Sequence, residues 1–214
     1  MAVRSVLGEL AGALGRRDEV PNQELAARLA RSKNRTGIRE LVAHLQDADP
    51  HIPADAIKTL YEVGYLNPGL IADHVEAFLA LLDRKNNRLV WGGMIALSTV
   101  AALRPDEIFK RVARVEAVTR DGTVITQDSG IKALAEVAAG SERRAARIRP
   151  FLLRHLRECR AKDVPQRSEK SLVAFPKAAA GQLAAVLEER LPELTPPQAR
   201  RVRKVLQQAA ALQA

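Results

Sequence analysis

The residues of this 214-residue chain that could do acid–base, nucleophilic or metal chemistry are few and scattered. They are His44, His51, His74 and His155, the single Cys159, and a Ser-x-x-Lys tetrad, "SGIK", at Ser129 to Lys132. His44 stands three residues before Asp47 and His74 directly follows Asp73, so each could share a proton with a carboxylate. Both fall beside apolar positions of amphipathic runs, where a solvated or capping role is expected instead. The tetrad matches the nucleophile pattern of serine acyl-enzymes only in form, because neither S-D-N nor K-T-G accompanies it. Cys159 lies between Arg157 and Arg160, whose charge would favour its thiolate, but the expected role of so small a helical residue is packing. One cysteine makes neither an intramolecular disulfide nor a thiolate cage. With no H-E-x-x-H, C-x-x-C, phosphate loop or G-x-G-x-x-G either, no catalytic residue, metal ligand or cofactor is expected.

Recognition chemistry is better represented. The formal net charge is +9 and the isoelectric point about 10.2, and most of the excess lies between 141 and 170. There Arg143, Arg144, Arg147, Arg154 and Arg157 recur around one expected helix, with Arg149 and Arg160 beside them. These arginines are the candidate anion or nucleic-acid site, set against the plainer reading of a solvated helical face. Aromatic side chains are only 3% of the chain, and Tyr61, Tyr65 and Trp91 are three of them.

What must position these groups is an array of helices. The composition is rich in Ala, Leu, Val and Arg and poor in aromatics, which favours closely spaced helices over sheets. In "LVAHLQDADPHIPADAIKTLYEVG", Leu41 to Gly64, two amphipathic runs meet at a turn in which Asp49 is the N-cap candidate and Pro50 sits in the first helical turn. A shift of about 37 places carries Ala56, Ile57, Leu60, Val63 and Gly64 onto Gly93, Met94, Leu97, Val100 and Ala101. A second shift reaches Gly130, Ile131, Leu134, Val137 and Ala138, and a third a weaker copy at Ser168, Leu172 and Phe175. The breakers "NPG", "DRKNN" and "RDG" separate the runs, so each unit reads helix, turn, helix.

The stretch from Leu41 to Gly64 resembles the HEAT repeat family: an apolar helix, an Asp/Pro turn and an Ala-rich second helix, a likeness extending over about Ile38 to Phe175. The resemblance implies an all-α, right-handed α-α superhelix of HEAT-like helical hairpins forming one domain over 1–214. Residues 1–35 would be N-terminal cap helices, 36–176 the repeats, and 177–214 the C-terminal cap helices, with Thr195 and Pro196 opening the last. The resemblance also limits activity. None of the four histidines is followed by Glu, so the His-Glu pairs of HEAT-type hydroxylases are missing. HEAT-like alkylbase DNA glycosylases carry a Trp followed one turn later by Asp, whereas one turn after Trp91 stands Ile95. Bilin lyases built on such repeats are a more distant comparison.

In this register the second helices turn Lys58, Tyr61, Tyr65, Trp91, Ile95, Lys132 and Lys170 toward one concave face. A non-catalytic scaffold gripping a partner protein or peptide there is the expected function, and a nucleic-acid-binding or repair protein using 141–170 is the alternative. The longest uncharged run, Leu89 to Leu103, falls short of the roughly 20 residues of a membrane helix. The N-terminus lacks a continuous apolar core and reads as a first amphipathic helix rather than a signal peptide. A soluble, cytoplasmic protein is expected.

Overall fold

The computed structural model describes residues 5–213 and turns the 37-residue register into helices. The expected second helices are α3 (His51–Leu66), α5 (Asn87–Val100), α8 (Val124–Ala139) and the short α10 (Val164–Ser171). Each is preceded by a helix of the other layer: α2 (Arg35–Ala43), α4 (Val75–Leu81), α7 (Val112–Asp121) and α9 (Glu142–Glu158). The chain opens with α1 (Val20–Ser32) and closes with α11 (Ala180–Arg190) and α12 (Pro196–Gln213), and α6 (Pro105–Lys110) precedes α7. Among the described residues there is no strand, and no helix is long and apolar enough to cross a membrane.

The local signals act much as expected. Asp49 accepts a hydrogen bond from the His51 amide at 2.9 Å and so supports the start of α3, but the N-cap position itself falls one residue later than expected, on Pro50. Thr195 donates its own amide to Gln198 Oε1 at 2.9 Å, half of a capping box that opens α12. Two further expectations fail. Two of the first helices are not continuous: a 3-10 turn, Ala72–His74, precedes α4, and α6 breaks from α7 at Arg111. The expected N-terminal amphipathic helix does not form over residues 5–17, its first four residues lying outside those described. Beyond a 3-10 turn at Leu7–Glu9 the segment runs as turns and bends, because Gly8, Gly12 and Gly15 disfavour helix. Acceptors on other helices hold it instead: Glu40 takes the Val6 amide at 2.9 Å, Asn22 the Ala11 amide at 3.0 Å and Asp55 the Gly12 amide at 2.8 Å.

The chain divides after Glu107 into two compact units. In the first, Leu41, Ile57, Leu60, Phe78 and Leu97 form a fully buried core, with α3 packed between α1 and α5. In the second, Ile131, Leu134, Leu152, Leu156 and Phe175 do the same. The small register positions have a steric cause. A methyl group on Gly93 would come within 2.9 Å of Leu81, and one on Gly130 would collide with Thr119. Buried arginines brace the second unit, two of them through backbone carbonyls. Arg149 donates to the Ala174 carbonyl at 2.8 Å and pairs with Glu142, and Arg190 caps the end of α9 through the carbonyls of Leu156, Arg157 and Cys159.

Candidate functional site

The first unit carries a face built by α3 and its neighbours. At its centre the Lys58 ammonium lies 2.8 Å from Glu19, 2.7 Å from Glu62 and 4.9 Å from the Tyr61 ring centre, and the residue is 5% exposed. Burial opposes its charge, but the two carboxylates outweigh that and hold its pKa above the ordinary lysine value. Lys58 is therefore a covered, neutralised cation rather than an open one. Tyr61 packs against Tyr65 at 5.9 Å, edge to face, and against Trp91 at 6.1 Å. Tyr61 is buried and Trp91 half-buried, while Tyr65 is 56% exposed and presents its ring to solvent. Ile95, expected among them, is covered.

Toward the amino end of α3 the same helix borders a cleft of about 780 Å³ lined by Leu7, Leu10, Ile52, His51, Asp55 and Arg88. Arg88 Nη2 lies 3.4 Å from Glu19 and 3.8 Å from Asp55, so one guanidinium links the cleft to the carboxylates around Lys58. From Ile52 to Tyr65 the helix rises about 20 Å. An extended peptide of about six residues spans that length.

In the second unit Lys132 is half-buried, and Lys170 donates to the Asp128 carbonyl at 3.1 Å. Burial lowers the Lys170 pKa, against the pull of Asp128 and with the push of Lys132. Beneath them is Arg167, 1% exposed, whose guanidinium reaches Asp128 Oδ1 at 3.0 Å, Gln127 Oε1 at 2.8 Å and His155 Nε2 at 2.8 Å. Guanidinium only donates, so Nε2 accepts and the imidazole is neutral with its proton on Nδ1. Burial, with Arg167 beside it, depresses the His155 pKa to about 4. The Cys159 thiol goes up instead of down: burial dominates, Arg157 turns to Glu189 at 3.0 Å, and Arg160 turns to Asp163 at 2.8 Å. The other acid–base candidates are also accounted for. His44 bonds Asp47 at 2.9 Å, and Asp73 is taken by Arg104 and Arg35.

The basic segment divides by partner. Arg144 donates to the Val137 carbonyl at 2.7 Å, Arg147 pairs with Glu116 through two bonds of 2.7 and 2.8 Å, and Arg157 is the partner of Glu189. Arg143 lies over the Phe109 ring at 5.9 Å, and Arg154 is exposed without a carboxylate partner among the described residues. Sequence reasoning missed Glu19, Glu62, Asp55 and Arg167. Glu62 was signalled by its i, i+4 spacing from Lys58. Glu19 and Arg167 reach partners on other helices, which spacing along one helix does not reveal.

No family model matches the chain, and no curated protein matches it. Solved structures do. An engineered protein aligns with TM-score 0.67 at 18% identity, over 97% of this chain and 98% of its own. A computationally designed armadillo repeat protein for modular peptide recognition aligns with TM-score 0.67 at 13% identity, over 88% and 92%. A designed armadillo repeat protein in complex with the peptide (KR)4 aligns with TM-score 0.65 at 15% identity, over 92% and 91%. The likeness is one of fold: this chain is an all-α, armadillo-like helical-repeat solenoid.

Proposed function

We propose that this protein is a non-catalytic interaction scaffold that takes an extended, basic peptide along α3, from the cleft at Ile52 to the ring of Tyr65. The observation that carries this reading is Lys58. It gathers the carboxylates of Glu19 and Glu62, whose side chains stay 42% and 22% exposed while its own is covered, so that a Lys or Arg side chain of a partner would share them at the surface. Tyr65 and Trp91 offer contact area at the open end, and aromatic anchors of this kind dominate binding energies. The designed armadillo protein with its (KR)4 peptide supports the reading by analogy of fold. Trp91 is the only tryptophan and so reports on the site directly. Titration with a short alternating Lys/Arg peptide should change its emission saturably, and Tyr65→Ala should weaken binding about tenfold. No change with that peptide, or an equal change with an acidic peptide of the same length, overturns the proposal.

A further inference from the structure

The second unit carries a surface with different chemistry. Arg147 is anchored to Glu116 of α7, and Arg143 lies over Phe109 of α6, so side chains from the amino-terminal half of α9 reach across to α6 and α7. Arg111 stands two residues beyond Phe109 and Arg114 two before Glu116, and both are exposed. Arg154 continues the same stripe along α9, which rises about 21 Å from Arg143 to Arg157. Of the acids on these helices, Glu116, with its side chain 12% exposed, is engaged by Arg147, Glu142 by Arg149, Asp121 by Arg120 and Glu107 by Arg104. Arg111, Arg143 and Arg154 have no carboxylate partner among the described residues.

We propose that this arginine face of α6, α7 and α9 docks on the phosphate backbone of a nucleic acid, without reading its sequence. Every cation named is an arginine, whose planar fork matches phosphate oxygens. None of the large exposed apolar side chains lies on α7 or α9, where the outward positions between the arginines are Ala146 and Pro150. The half-buried Phe109 ring of α6 lies under Arg143, so the face offers little apolar area to a lipid interface or to a protein partner. The inference is independent of the peptide proposed for α3.

The test is fluorescence anisotropy with a labelled DNA duplex, repeated across salt. About four phosphate contacts predict that the logarithm of the binding constant falls linearly with the logarithm of salt concentration at a slope near −4. The triple reversal Arg111→Glu, Arg143→Glu and Arg154→Glu should cost more than about tenfold in affinity. Reversing Arg200, Arg203 and Lys204 of α12 to Glu makes the same change in net charge elsewhere and should cost far less. Circular dichroism confirms that each variant is folded, and if the first triple is not, the single Arg154→Glu, with a smaller loss, replaces it. The proposal is overturned by a wild-type protein that does not bind duplex at low salt, by equal losses in the two triples, or by displacement of the duplex by poly-glutamate or anionic vesicles as readily as by competitor DNA.

Discussion

His155 shows how one hydrogen bond sets a residue's chemistry. Its Nε2 accepts from a cation, so protonation would place imidazolium against guanidinium inside the unit. The folded pKa is about 4 against an ordinary 6.5, so between those values the unfolded chain binds the extra proton. The stability that neutral His155 contributes is complete above pH 6.5 and is lost as pH falls toward 4. Glutamine offers an acceptor oxygen with no titration, so His155→Gln should flatten the dependence of melting temperature on pH in that window. His74, whose pKa is also lowered by burial, keeps its own share. A slope unchanged in the variant would exclude the assignment. At the other end of the bond, Arg167→Met should destabilise the fold by about 3–5 kcal/mol, because Asp128 and Gln127 lose their buried donor. Urea denaturation measures it.

At the scale of helices, the repeat register was legible because it is written in steric terms. Leu97 falls on a fully buried position as its alignment with Leu60 and Leu134 requires, and Leu97→Ala should cost about 2–5 kcal/mol through the cavity it leaves. Gly130→Ala should destabilise by about 1–3 kcal/mol, because the added methyl displaces Thr119 from its bond to the Val115 carbonyl. Thermal melts followed by circular dichroism test both. The break between α6 and α7 was not legible, since Ile108, Val112, Val115 and Val118 keep helical spacing straight through it. Neither was the N-terminal segment: Leu7, Leu10 and Leu14 space like a helix, and the acceptors that replace its backbone bonds arrive from α1, α2 and α3. The weak fourth copy concealed most, because Arg167 is buried where the earlier copies hold the smaller Asp55, Gly92 and Ser129, and Ser168 is buried where they hold Ala56, Gly93 and Gly130. Of the site residues, the Tyr61, Tyr65 and Trp91 grouping was legible from the register. The covering of Lys58 was not, since Glu19 stands at the N-cap of α1, before the repeats.

For the whole molecule the dominant electrostatic fact is 34 basic side chains against 25 acidic ones. Many of those acids are structural acceptors, as Glu19, Glu62, Glu116, Asp55 and Asp128 are. Acidification therefore removes partners and raises repulsion together, and at pH 4 the melting temperature should rise when salt is increased from about 0.01 to 0.15 M, which shortens the screening length from about 30 to 8 Å. A melting temperature indifferent to salt would mean that charge repulsion is not what limits stability there. The N-terminal segment has a separate consequence. Its own backbone bonds are short-range turns, such as Leu10 to Leu7 and Gly15 to Gly12, and it is tied to the helices only by the Val6, Ala11 and Gly12 amides on single side chains, so it forms the part of the first unit that opens on its own. Val6 and Leu10 would then leave the core while α1 to α5 stayed folded. In deuterated water these amides should exchange long before those of α3, and limited trypsin should cut first at the exposed Arg16 and Arg17, making this the seam along which the protein comes apart.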